Sequence, residues 1–248
     1  MTTIALIDGD IFAYEIAAGA EEPIHWGGGL WTLHAWEEPA KVRLEGRIEE
    51  LRDSVGASRV IVALSDTNNW RKAILPTYKE NRAHQRKPML LRTLKDHLAE
   101  KYETFIRPTL EADDVLGILS TWQKLKGEKV IVTKDKDLQT VPGLHFLCHK
   151  EELGVFEVTE DEADLWHLIQ TLSGDTADGY KGCPGIGVVR AEKALKDLAP
   201  EDRWAKVVEM FEKAGLGEDE ALVQARVARV CRASDYSFEN KEVKLWTP

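Results

Sequence analysis

The stretch "TIALIDGD", residues 3–10, sets a pattern that the first half of the chain repeats. Its aliphatic run has no polar face, as in a strand buried on both sides, and it ends directly in Asp8 and Asp10. "RVIVAL" (59–64) likewise runs into Asp66, and "KVIVT" (129–133) runs into Asp135 and Asp137. "TFIRP" (104–108) leads to Glu111, Asp113 and Asp114, while "LHFLC" (144–148) adds a further apolar run. Amphipathic stretches lie between them, "EPAKVRLEGRIEELRDSVG" (38–56) and "DVLGILSTWQKLKG" (114–127). Apolar strands alternating with helices predict an α/β fold, a central and mainly parallel sheet flanked by helices. Ligands of such sheets bind at the carboxyl ends of the strands. Four strands thus deliver eight carboxylates to one edge.

The chemistry of that edge follows from repulsion. In "TLEADDVLGIL" (109–119) Val115, Ile118 and Leu119, continued by Trp122 and Leu125, recur at helical spacing, yet Glu111 and Asp114 lie on or beside the buried face. A buried, unpaired carboxylate is costly, so a positive charge is required. Carboxylates with few neighbouring His or Cys favour hard cations, Mg²⁺ or Mn²⁺, over zinc. A pair of such ions, about 4 Å apart, suits in-line displacement at a phosphoester. "LIDGD" (6–10) also fits the DxD of a haloacid-dehalogenase-type phosphatase, and a DNA-binding scaffold with a degenerate site is the non-enzymatic alternative.

The net charge of −10 argues against a polyanionic partner, but its distribution does not. From Arg71 to Lys95 the chain carries eight Lys or Arg (Arg71, Lys72, Lys79, Arg82, Arg86, Lys87, Arg92 and Lys95) against the single acid Glu80. Such a segment reads as a polyanion contact, with a solvated helix face as the alternative. Cys148, Cys183 and Cys231 have no ligand or disulfide spacing, which suits cytoplasmic thiols. Neither a membrane span nor a signal peptide is evident, so a soluble cytoplasmic protein with no membrane partner is expected.

After residue 158 the strand signal stops. Thr159 and Glu162 form a capping box that opens a mainly helical region. The expected organisation is a metal-dependent core over 1–158 and a helical region over 159–248, packed as one compact unit. In "LSGDTADGYKGCPGIGVVRAEKALKDL" (172–198) a helix ends near Gly174, a loop holds Asp175 and Asp178, and "PGIG" (184–187) starts another helix near Val188. Backbone amides at Gly185 and Gly187, with Lys181, Arg190, Lys193 and Lys196 nearby, fit a helix-hairpin-helix that grips a DNA backbone. Residues 19–40, with Trp26, Trp31 and Trp36 around Gly27–Gly29, match no clean period. Loop-packing aromatics are the default there, and base stacking is the alternative.

"LIDGD", "LSDTNNWRK" (64–72), "YKENR" (78–82), "LEADDV" (110–115), "VTKDKDL" (132–138) and "SGDTADGYKGCPGIG" (173–187) together resemble the flap endonuclease/5′-nuclease family. Within it the chain is most similar to the short 5′-to-3′ exonucleases of podovirus-type tailed phages, whose likeness extends to "ARVCRASDYSFENKEVKLW" (225–246). The resemblance implies a PIN-like core with a helix-hairpin-helix, and 5′-to-3′ hydrolysis of duplex DNA with 5′ ends, flaps or gaps, with RNA–DNA hybrids left open. It implies that Asp8, Asp66, Glu111 and Asp113 hold one divalent ion. Asp114, Asp135, Asp137, Asp175 and Asp178 would then hold the second or its water shell. Tyr78, Lys79 and Arg82 match the family's arch-base motif, in which the lysine and arginine act on the scissile phosphate. The "PGIG" carbonyls match a K⁺ site, and a monomer is favoured. The interval from Asn81 to Glu111 is short for a long helical arch.

Overall fold

The computed structural model describes residues 2–248. Strand β1 (Thr3–Asp8) leads into helix α1 (Gly9–Gly19), followed by strands β2 (Glu21–Gly27) and β3 (Leu30–Ala35) and helix α2 (Glu37–Ser54). Next come β4 (Arg59–Ala63), the single turn α3 (Arg71–Ile74), α4 (Leu91–Lys101), β5 (Glu103–Phe105), α5 (Ala112–Thr121) and β6 (Glu128–Thr133). Strands β7 (Gly143–Leu147) and β8 (Phe156–Val158) complete the main sheet. Helices α6 (Glu160–Ser173), α7 (Val188–Leu195), α8 (Pro200–Lys213) and α9 (Glu218–Ala228) follow, then a small hairpin, β9 (Tyr236–Ser237) and β10 (Glu242–Val243).

The main sheet has the order β5-β4-β1-β6-β7-β8, parallel except for β8. Alternation along each strand feeds two cores, because successive side chains point to opposite faces. Ala5, Ile7, Val62, Val130 and Val132 pack against α1, α2 and α4. Ile4, Leu6, Ile61 and Ile131 pack against α5 and against Val230 and Cys231. A third apolar cluster joins α6, α7, α8 and α9, centred on Leu172, Leu195, Val207 and Phe211. Gly9 is the hinge of "LIDGD": a Cβ there would come within 2.5 Å of Val62 Cγ1 and 2.9 Å of the Ala63 carbonyl. Only a glycine lets α1 start this close to β4, which keeps the ends of β1 and β4 side by side.

Three expectations change. The helix expected over 114–127 ends at Thr121, whose hydroxyl donates to the Gly117 carbonyl at 2.7 Å. Trp122 and Leu125 still pack on the core from outside the helix, with Trp122 stacked on Phe238 at 4.7 Å. Residues 21–35 form an antiparallel hairpin rather than a packed loop, and the Trp26, Trp31 and Trp36 rings are exposed. Its alternation is hidden in the sequence because a bulge between His25 and Gly27 shifts the register. Strands also recur beyond 158, as β9 and β10. Among the described residues no helix is long and apolar enough to cross a membrane.

Candidate active site

The carboxyl ends of β1 and β6 open onto a cleft of about 250 Å³, lined by Asp8, Asp10, Glu111, Asp113, Asp135, Asp137 and Asp178 together with Arg71, Tyr78, Lys79 and Arg82. Asp8 is the N-cap of α1 and accepts from Ile11 N at 3.2 Å. Its other oxygen accepts from Thr133 Oγ1 at 3.1 Å. That hydroxyl in turn accepts from Asp135 N at 3.0 Å, so one buried threonine joins the acids of two strands. Asp135 caps the 3-10 turn 136–140 and accepts from Asp137 N at 2.8 Å. Glu111 and Asp113 are set by the start of α5, and Asp175 and Asp178 by the turn between α6 and α7.

The acids fall into two groups according to what faces them. Glu111 accepts from Lys79 Nζ at 2.5 Å and from Arg71 Nη1 at 3.0 Å. Burial pushes its carboxyl up, but these two cations outweigh it and hold it below the usual range. Asp178 meets Arg82 at 2.7 Å and Lys79 at 3.4 Å, and Asp10 meets Lys95 at 2.8 Å. The Tyr78 hydroxyl lies 3.0 Å from Glu111 and 2.8 Å from Asp178, so its single proton serves one carboxylate at a time. Asp8, Asp113, Asp135 and Asp137 have no Lys or Arg within ion-pair distance among the described residues. All four carboxyls are pushed up. Burial and Asp10 bring Asp8 to about 7. Burial and Asp135 bring Asp137 to about 7. Burial with Asp8 raises Asp113 well above the usual range, and burial followed by Asp178 and Asp175 raises Asp135. The buried Asp137 Oδ1 has no hydrogen-bond partner. No three of these side chains stand as a finished ligand set for one ion among the described residues.

Several sequence expectations are corrected here. Asp114, expected in the metal shell, is fully buried and committed elsewhere. Its two oxygens each meet an Arg71 nitrogen at 2.8 Å and also accept from Trp70 Nε1 and Cys231 N, both at 3.0 Å. Arg71, expected on nucleic acid, is 3% exposed and also donates to the Val227 and Arg229 carbonyls. The positive charge demanded by "LEADD" is therefore a guanidinium at Asp114. The basic segment is not a free polycation either, since Arg86 is spent in a two-pronged pair with Glu21, at 2.7 and 2.6 Å. Lys72 and Lys87 are exposed. Asp66 stands aside from the cleft lining and accepts from Thr109 N at 2.8 Å. Thr133 was not singled out in the sequence, although it sits inside "VTKDKDL", and Lys95 was read only as one charge of the basic segment.

The helix-hairpin-helix region has the expected outline. Gly174 ends α6, and Gly187 is the N-cap of α7. Gly185 and Gly187 are exposed on that turn, and Arg190 and Lys193 are exposed on α7 itself. Arg190 Nη1 donates to the Gly185 carbonyl at 3.0 Å, which places a guanidinium on a hairpin carbonyl where the resemblance implied K⁺. The 78–82 segment is fastened to the Asp175–Asp178 turn, with Lys79 N donating to the Asp178 carbonyl at 2.8 Å and Arg82 Nε to the Ala177 carbonyl at 3.0 Å.

A parallel sheet whose carboxyl edge gathers acids opposite lysine and arginine defines an enzyme of phosphoester chemistry. The chain belongs to the 5′-3′ exonuclease family, and residues 3–164 match the family's N-terminal resolvase-like domain. It is 33% identical to the exodeoxyribonuclease of Enterobacteria phage T3, over 99% of this chain and 93% of that one. It is 31% identical to the exonuclease of Escherichia phage T7, with the same coverage of both chains. The fold is similar to that of the bacteriophage T5 flap endonuclease solved with DNA and metal ions, with a TM-score of 0.63 and 17% identity over 91% of this chain and 93% of that one. The protein is thus a nuclease of the exonuclease and flap endonuclease kind, which sets aside the phosphatase and scaffold alternatives.

Proposed function

We propose that the protein is a divalent-metal-dependent 5′-to-3′ exonuclease acting on duplex DNA, with Mg²⁺ or Mn²⁺ as its ion. The observation that carries this is the set Asp8, Asp113, Asp135 and Asp137, four neighbouring carboxylates with no Lys or Arg in ion-pair distance among the described residues. Their oxygen-only donors and the orphaned Asp137 Oδ1 fit a hard cation. Glu111, Asp175 and Asp178 would complete the shells of two such ions, and Asp66 would act from outside the cleft. Bound metal would supply a water nucleophile at neutral pH and a counter-charge for the leaving oxygen.

The chain's own cations orient the substrate. Lys79, held between Glu111 and Asp178, is placed to shift its ammonium to a phosphate oxygen as the acids find other partners. Arg82, half exposed beside it, can bind the phosphate with two N–H groups. Lys72 and Lys87 add charge along the approach. The amides of Gly185 and Gly187, with Arg190 and Lys193, would hold the duplex backbone away from the cut, so that contact supplies grip rather than chemistry. The relatives from phages T3 and T7 and the DNA-bound T5 neighbour support DNA as substrate and phage DNA metabolism as the setting. The test is cleavage of duplex DNA against p-nitrophenyl phosphate, with Mg²⁺, Mn²⁺ or EDTA. DNA hydrolysis that vanishes in EDTA and with Asp135→Ala is expected. Full activity in EDTA would refute the metal.

A further inference from the structure

The β2–β3 hairpin takes no part in the cleft. Its two strands pair only with each other, and Trp26, Trp31 and Trp36 are each about 60% exposed. A two-stranded ribbon with so much aromatic surface in water has the character of a contact surface rather than a core.

Register decides which ring faces what. Glu21, Pro23 and His25 share one face with Ala35, Leu33 and Trp31, their cross-strand partners. Trp26 joins the other face, where its Nε1 donates to Thr32 Oγ1 at 2.7 Å. Glu21, at the base of the first face, is clamped to the basic segment by Arg86 and by Met89 N at 2.8 Å. Trp31 therefore shares the ribbon face whose base is clamped to that segment, with its ring stacked on His25 at 4.3 Å and 21°. Beside the Glu21–Arg86 clamp a groove of about 430 Å³ runs from Asp10, which also lines the cleft, and from Asp66 past Tyr14 and Arg82 to Arg86 and Lys87. The groove carries the cations, and of these Lys87 has no ion-pair partner among the described residues while Arg82 remains half exposed beside its Asp178 contact. Residues 19–36 contain no Lys or Arg, so the hairpin offers π faces and no charge for phosphates.

We propose that this groove and the Trp31–His25 face bind a single-stranded nucleic-acid segment leaving the cleft, its phosphates along Arg82 and Lys87 and a base stacked on Trp31. Bases of any sequence can stack on such a ring, which suits an enzyme that must follow whatever strand it releases. The role of the strand rests on the nuclease function proposed above, while its binding does not.

The test is binding of an oligothymidylate of about 15 nucleotides in EDTA, read by fluorescence anisotropy. Trp31→Ala is expected to weaken binding by about tenfold, the effect of one lost base stack. Trp26→Ala, on the opposite face, should bind as wild type. Trp31→Phe, which keeps an aromatic ring and the hairpin packing, should recover most of the affinity. Cleavage of a nicked duplex without a single-stranded tail should be equal in all four proteins. Absent wild-type binding, equal losses at Trp26 and Trp31, or a Phe variant as weak as the Ala variant would each overturn the proposal. If oligothymidylate binding follows the expected order but no duplex is cut, the nuclease function fails and the stacking surface stands.

Discussion

Replacing Asp114 by Asn would leave Arg71 buried against an amide that offers it one acceptor and turns an NH₂ group toward the other guanidinium nitrogen. The Asp114 carboxylate now takes both Arg71 nitrogens at 2.8 Å, with Glu111 as a third contact at 3.0 Å. Breaking a buried ion pair by removing one partner costs about 3–5 kcal/mol, and the surviving Glu111 contact puts this case near the lower end. For a chain of 248 residues, with an unfolding entropy of about 0.5 kcal/mol/K, a loss of about 3 kcal/mol lowers the melting temperature by about 6 °C. The adjacent Asp113→Asn should do the opposite in EDTA, because it removes a charge repelled by Asp8 and Asp135. Saturating Mg²⁺, at a hundredfold excess over Kd, should stabilise wild type by about 2.7 kcal/mol. Asp114→Asn should keep that rise and Asp113→Asn should lose much of it. The assay is thermal melting of the three proteins with EDTA and with Mg²⁺. If Asp114→Asn melts with wild type while Asp113→Asn falls, the roles of the two neighbours are reversed and the division of the cleft into paired and unpaired acids is wrong.

Lys79→Ala should lower kcat by at least tenfold under saturating DNA, whereas Lys87→Ala should chiefly raise KM and flatten its salt dependence; steady-state kinetics at two ionic strengths separate them. Lys193→Glu should weaken duplex affinity measured in Ca²⁺ and leave the Mg²⁺-dependent melting shift intact, since α7 lies away from the acids. Burial, followed by Arg229, depresses His167 to about 3. The unfolded chain takes up that proton near pH 6.5, so the stability His167 contributes is complete above pH 6.5 and falls with pH, by about 2 kcal/mol at pH 5. Urea melts from pH 5 to 8 should show a shallower decline for His167→Gln than for wild type.

The sheet and its acidic edge were legible because a strand buried on both faces is written as an unbroken apolar run, and an Asp stands at its end or within three residues of it. The partner of each acid was not legible. Arg71 meets Asp114 across 43 positions, through a fold in which α3 and α5 converge with the end of α9. In the sequence Arg71 is one of eight like charges, with nothing to separate a buried guanidinium from an exposed one. Lys95 and Asp10 illustrate the same difficulty, since the α1·α4 packing that joins them is a tertiary event. The hairpin at 21–35 was obscured differently. Its three glycines at the turn all adopt positive φ, and the bulge beside them breaks the period of two on which strand recognition depends.

Foremost is the proposal that the cleft hydrolyses DNA from the 5′ end with metal held by the unpaired acids. A time course on duplex DNA labelled at either the 5′ or the 3′ terminus, with Mg²⁺ and with EDTA, tests it directly. The 5′ label should enter small products first, while the 3′ label stays on long fragments that shorten gradually, and neither should be released in EDTA. Release of the 3′ label first, or digestion that proceeds without a divalent ion, would contradict it.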